Sequence, residues 1–509
     1  MSDDTAKPVP PNRPARPRRA ALFAIVLLLP IALLQLWIST AGFVAWSRDS
    51  QYISLLADAF MHGQLSLMVT PPPQMLALPD PYDPQANSPY RLHDATLYHG
   101  KYYLYWGPVP AILTAAVFEV LRIRPNIGDQ YLVFAFLFGA VAAAALLMFR
   151  IRARFFGDLS ALAVAIPIIS LGLGAPVLFT LARPAIYEAT IAAGQFFLLT
   201  GFLAAFAGMA ASTSRERATC GWLFIAGFLW SLSAGSRMSL IPAIGAAEGI
   251  TLFFLYRQRR FSFASAVSLA TPLIAVIALL SRYNYARFGD FLETGQRWQL
   301  GGRNPNAQSP HDFFHLYYFP IDLYCYLITT PAWLHSFPFV HAIGRTPPFA
   351  GSWTLPDGFR IEALVGLPWS QPFLICTIFV GSRLWRRNKT AEAAVDPPIA
   401  DRHLLPWLIA GFAAAGLIGF APALVFENVT MRYLLDGVPC FTILAAIGFW
   451  SLLPRLATNA RRAVLAIAGV VVAGQSILAI LLALTGYNGN FAYYNPALFQ
   501  SMKAFFDRI

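Results

Sequence analysis

The chain of 509 residues is 57% hydrophobic and 12% charged, with a mean hydropathy of +0.55, which excludes a soluble globule and defines a polytopic membrane protein. Its net charge of +12 would suit a nucleic-acid binder in a soluble protein, but the basic residues fall in short connections between apolar runs, as the positive-inside bias predicts, so nucleic acid is excluded as a partner. The four cysteines, Cys220, Cys325, Cys376 and Cys440, are scattered and make neither a disulfide framework nor a metal-ligand spacing.

Residues 1–19 are rich in Pro and Arg, too polar to build a core, and read as a disordered basic cytoplasmic tail. Everything from residue 20 to 509 reads as a single membrane domain. The run Ala21 to Trp46 is longer than a signal-peptide core and lacks a small-residue cleavage site, so it is expected to stay as an outward-running span. The piece Pro108 to Leu121 is short, carries Glu119 and is trailed by Arg122 and Arg124, which predicts an interfacial or re-entrant helix. Tyr131 to Phe149 then returns inward, and residues 47–128 form one large outer loop.

Further along, apolar runs alternate with basic clusters. Leu159 to Phe179, Ala189 to Ala210, Trp222 to Ala234, Ser239 to Tyr256 and Phe263 to Leu280 precede a second large outer region, residues 281–363. Leu364 to Leu384, Leu404 to Phe426, Tyr433 to Leu453 and Ala463 to Leu484 complete the chain. The expected fold class is an all-α polytopic membrane protein with about eleven transmembrane helices, in a range of about nine to thirteen, and interfacial helices in the first outer loop. The tail after Leu484 is expected outside, and no internal repeat is visible.

The stretch Ser47 to Leu67 carries the strongest functional signal. Asp49 follows the first span directly, so a carboxylate stands at the membrane surface within reach of a lipid head group. Tyr52, Ile53, Leu56, Ala59, Phe60 and Gly63 recur at helical spacing, which predicts a short amphipathic helix along the bilayer, its dipole favouring an ionised Asp49. Other chemistry-bearing residues also crowd the outer loops: Asp58 and His62, then Asp94, His99, Lys101, Tyr103, Arg183, Tyr187, Glu188, Arg237, Arg282, Arg287, Glu293, Glu427, Arg432, Tyr433 and Asp436. A span-end arginine also serves as a snorkelling anchor, and interfacial Tyr and Trp as belt residues. A carboxylate with several cations around it, however, suits a reaction whose leaving group is a lipid phosphate, because guanidinium groups pair phosphate oxygens bidentately. His62 and His99 raise a metal, but no close second ligand accompanies them; no cofactor is assigned, and a divalent metal is left open.

The pattern Asp49, Tyr52, Met61, Gly63 resembles the outer-loop signature of GT-C superfamily glycosyltransferases, in which an acidic pair is followed by an aromatic residue and a short helix closed by Gly. The run from Gly100 to Pro110, GKYYLYWGPVP, is similar to the Gly-x-x-Tyr and Pro-Pro-Leu element that begins the second interfacial helix of lipid-A aminoarabinose transferases and protein O-mannosyltransferases. Arg432-Tyr433 with Pro439 is similar to a late-span element of those families, and Tyr283 to Asp290 to a segment of bacterial members. Arg48 stands where the first acid of the pair is usual, and Gly107 where a Lys is usual.

The resemblance implies a polyprenyl-phosphate-linked sugar as donor and work on the outer face of the membrane. The reading is an inverting glycosyltransferase of a bacterial inner, multi-pass membrane protein with its site facing the periplasm or exterior, moving a hexosyl or pentosyl unit to a lipid or cell-envelope glycan. Catalysis is assigned to Asp49, alone or with Asp94, and substrate binding to Tyr52, Lys101, Tyr103, Arg183, Glu188, Arg237, Arg287, Arg432 and Tyr433. The rival reading is a transporter or flippase of a lipid-linked sugar, which would place ionisable groups at mid-membrane in broken helices. An acyltransferase would call for a central His, and the histidines form no cluster.

Overall fold

The structure, a computed structural model, describes residues 17–44, 51–157, 159–211, 216–304, 306, 313–352, 355, 359–381, 399–487 and 489–508. Asp49 lies outside them, as do residues 1–16 of the N-terminal tail.

The main helices among the described residues are, in chain order, α1 (Pro17–Ser39), α2 (Tyr52–Met61), α3 (Val109–Leu121), α4 (Asp129–Phe155), α5 (Ala161–Gly172), α6 (Ala175–Leu181), α7 (Ile186–Ala210), α8 (Glu216–Ser236), α9 (Ile241–Arg257), α10 (Phe263–Phe288), α11 (Phe319–Ile328), α12 (Ile399–Phe420), α13 (Val438–Leu452), α14 (Thr458–Thr485) and α15 (Pro496–Phe506). Among the described residues nine helices are long and apolar enough to cross a membrane, and the pair α5–α6, bent by 41°, makes a tenth if taken as one span. The break falls at Leu173 and Gly174, just before Pro176, which has no amide hydrogen to continue the ladder.

The expected span Leu364 to Leu384 is different in kind. It is a four-residue helical turn, Leu367–Ser370, followed by a 3-10 helix, Pro372–Phe379, and its last residues, 382–384, lie outside the described residues. Pro368 and Pro372 remove two donors that a continuous α-helix would need. The chain still changes ends here. Phe288 at the end of α10 meets Tyr98 of the first outer loop edge-to-face, whereas His403 near the start of α12 meets Phe254 at the far end of α9. The 3-10 segment runs along α13, with Phe373 against Phe449 and the Cys376 carbonyl against Gly448.

The loops 51–128 and 289–366 therefore meet at one end of the bundle, and the clusters around Arg150, Arg217, Arg257 and Arg455 at the other. α2 and α3 are short apolar helices, as expected for interfacial elements. The amide groups at the start of α2, read from sequence as favouring Asp49, are taken by Asp129: its carboxylate accepts from Tyr52 N at 3.3 Å and Ile53 N at 3.4 Å. Among the described residues the sheets are each two-stranded. β1 (Thr96–Tyr98) and β2 (Lys101–Tyr103) form an antiparallel hairpin turned by His99 and Gly100, both at positive φ, which explains the Gly of the sequence element. β3 (Ala332–Trp333) pairs antiparallel with β4 (Val340–His341), and β5 (Arg360–Ile361) runs parallel to β6 (Asn428–Val429).

Candidate active site

A cavity of about 500 Å³ opens where the two outer loops meet the span ends. Its floor is ionic. Arg432 donates to both oxygens of Glu362, at 2.7 and 3.2 Å, and Glu362 also accepts from Thr430 Oγ1 at 2.9 Å and Asn428 Nδ2 at 3.1 Å. Arg183 lies 3.9 Å from Glu362 and 4.0 Å from Glu188, and Arg432 lies 3.8 Å from Glu188. Tyr187, Tyr433 and Tyr487 rings surround the Arg432 guanidinium at 5.1–5.7 Å. Burial pushes the Glu362 carboxyl up, but Arg432 and Arg183 outweigh it and hold the group at about 2.

A second pair stands beside the first. Arg237, in the turn between α8 and α9, grips Asp436 through Nε at 2.8 Å and through a terminal nitrogen at 2.5 Å, and lies over Tyr433. Exposure separates the arginines: the Arg432 side chain is 3% exposed, that of Arg183 24%. Arg432 is thus an anchor that holds Glu362 in place, while Arg183 and Arg237 present guanidinium edges to the cavity.

Asp94 faces this floor from the first outer loop. Its backbone is left-handed (φ +64°), a conformation Asp tolerates better than most residues, and its amide donates to Leu300 O at 2.7 Å. Gln299 Nε2 donates to Asp94 Oδ1 at 2.8 Å and to the Tyr187 hydroxyl at 2.8 Å, while Tyr105 donates to Tyr187. No described group donates to Asp94 Oδ2, so one oxygen is fixed and the other is free to take a proton. Trp106, stacked on Tyr105 and edge-on to Tyr187, makes the aromatic wall.

The structure thus brings Asp94, Arg183, Arg237, Arg432 and Tyr433 to one cavity, with Glu188 behind it, 0% exposed and with no hydrogen bond from the described residues to either oxygen. Four expected binding residues stand back from the lining. Tyr52 donates to the His93 carbonyl and so supports the turn before Asp94. Arg287 donates to Leu104 O at 2.5 Å and to Asn284 at 2.7 Å, fixing the backbone that leads to Tyr105 and Trp106. Tyr103 packs on Phe288, and Lys101 is exposed at the hairpin end. The departure at Gly107 has a steric cause: a Cβ there would lie 2.2 Å from Gly235 O, so no Lys fits.

Sequence reading missed Glu362, Gln299, Arg303 and Arg360. Glu362 had a usable signal, since it is the last carboxylate before an apolar run, the mirror of the position that singled out Asp49. Among the described residues no three His, Cys, Asp or Glu side chains come together to hold a metal ion. Beside the cavity, starting one residue after Gly107, an apolar groove of about 630 Å³ lies between α2, α3 and α10, lined by Met61, Val109, Ile112, Leu279 and Tyr283.

The fold and this site define a multi-pass helical membrane protein with a charged, aromatic-walled cavity at one end of its bundle. No protein-family model matches the chain, and no curated protein matches it. Solved structures similar to it include ArnT from Cupriavidus metallidurans in the apo state, at 13% identity and TM-score 0.47, covering 93% of this chain and 78% of that one. The same protein bound to undecaprenyl phosphate is similar at 11% identity and TM-score 0.44, with the same coverage. Archaeal oligosaccharyltransferase AglB from Archaeoglobus fulgidus, in complex with an inhibitory peptide and a dolichol-phosphate, is similar at 13% identity and TM-score 0.45, covering 91% of this chain and 56% of that one.

Proposed function

We propose that the chain is an inverting membrane glycosyltransferase that moves a sugar from a polyprenyl phosphate to a lipid or cell-envelope glycan acceptor. One observation supports this most: a carboxylate with one oxygen fixed and the other free, Asp94, shares a cavity with guanidinium groups set at the span ends, Arg183 and Arg237. In the proposed step the acceptor oxygen attacks the anomeric carbon as its proton passes to Asp94 Oδ2. The bond from that carbon to the phosphate oxygen breaks, and the lipid phosphate leaves with the electron pair. Its growing charge falls at membrane level, where Arg183 and Arg237 stand. The apolar groove beside Gly107 suits the isoprenoid chain by its lining.

Asp49, read from its position in the sequence as the base, stays a candidate for that role beside Asp94. The arrangement of basic clusters at the end opposite the cavity supports a cytoplasmic placement for that end and a periplasmic or exterior one for the site, in a bacterial inner membrane. The test is the purified protein in lipid nanodiscs with labelled undecaprenyl-phosphate sugars and a cell-envelope extract as acceptor. Release of undecaprenyl phosphate with label in a glycolipid is expected. Intact donor crossing a liposome bilayer, with no release, would overturn transfer in favour of a flippase.

A further inference from the structure

The cavity has a second cationic position that the transfer step does not use. Arg183, Arg237, Arg303 and Arg432 each lie against a carboxylate: Glu188 and Glu362, Asp436, Glu427, and Glu362 again. Arg360 also lines the cavity, and no carboxylate of the described residues reaches it. Among the described residues the one hydrogen bond of its guanidinium runs from a terminal nitrogen to Gly302 O at 2.8 Å. The guanidinium is seated there, since a Cβ on Gly302 would stand 3.2 Å from it. Its backbone is fixed as well, because Arg360 N donates to Glu427 O at 2.9 Å on the β5–β6 pair.

Position separates Arg360 from the cations given to the donor. Arg183 and Arg237 sit in turns between membrane helices, whereas Arg360 sits in the outer loop beside Gly302 and Arg303. A free guanidinium retains most of its five donors for a planar anion. We propose that Arg360, flanked by Arg303, binds an anionic group carried by the acceptor, a phosphate or a carboxylate, so that the enzyme glycosylates a negatively charged lipid head group or acidic glycan. This rests on the glycosyltransferase reading of the same cavity.

The test uses the full-length protein in phosphatidylcholine nanodiscs, with glucose 6-phosphate and glucuronate as anionic probes, glucose as the neutral one, and undecaprenyl phosphate measured separately. Both anions should bind more tightly than glucose, and Arg360→Gln should weaken the anions by about 10- to 100-fold, the range for losing a hydrogen bond to a charged group, while undecaprenyl phosphate binding stays as in the wild type. Arg360→Lys, which keeps the charge and loses the fork, should fall between. Equal binding of glucose and the anions, or anion binding untouched by Arg360→Gln, overturns the proposal. Loss of undecaprenyl phosphate binding in Arg360→Gln also overturns it, by assigning the residue to the donor. Wild-type protein that binds the anions but no undecaprenyl phosphate counts against the donor reading instead. Adding phosphatidylglycerol to the nanodisc separates the two sources, because competition with glucose 6-phosphate marks a lipid head group and its lack marks a glycan.

Discussion

The two ends of the helix bundle carry the same residue type in opposite settings. At one end Arg150, Arg257 and Arg259 are exposed and no described carboxylate pairs with them; at the other, Arg183, Arg237 and Arg432 are folded against Glu188, Glu362 and Asp436. Sequence context alone does not separate them, since each is an arginine near the end of an apolar run. What separates them is whether a carboxylate from a distant segment arrives. An exposed guanidinium keeps its hydration and answers to membrane potential and lipid charge. A buried one is tolerable only beside its counter-ion, and the pair then becomes a rigid element of the cavity.

The largest break in this contrast is Arg432→Gln. It leaves Glu362 and Glu188 without their main partner in a buried site, so stability should fall by about 3–5 kcal/mol and transfer should be lost with it. Denaturant unfolding in detergent micelles checks this; a variant as stable as the wild type would show that the ionic floor is solvated. Next is Asp94→Asn, which keeps the shape of the side chain but cannot take a proton. Transfer should drop by about 100- to 10,000-fold with unfolding unchanged. Asp49→Asn run in parallel sharpens the assignment: if it abolishes transfer while Asp94→Asn does not, the base is Asp49.

Arg183→Lys probes the cavity-facing edge of the floor. A point charge cannot replace the planar fork, so transfer should fall by about 10- to 100-fold at little cost to folding. A smaller effect is the pH dependence of Glu362. Its folded-state value is depressed to about 2, so its contribution to stability is full above the ordinary carboxylate range and is lost as the pH falls from about 4.5 to about 2. Unfolding measured against pH should show this acid limb, flattened in Glu362→Gln. The smallest effect belongs to the other end: Arg150→Ala should change stability by no more than about 0.5 kcal/mol, within the error of most unfolding assays.

The membrane character, the two interfacial helices and the alternation of basic connections were legible in the sequence, because apolar length and charge placement are local quantities that the bilayer reads directly. Arg183, Arg237, Arg432 and Tyr433 were legible for a related reason, as polar groups kept at span ends, and Asp94 as a carboxylate of the first outer loop. Which of these share a cavity was decided by tertiary structure. Glu362 meets Arg432 across 70 residues and Gln299 meets Asp94 across 205, and no local pattern encodes such pairings. Arg287 and Arg432 read alike in sequence, yet one braces the backbone before Tyr105 and the other anchors the ionic floor. Their surroundings come from other segments, and burial lets a charge persist only where those segments supply a partner.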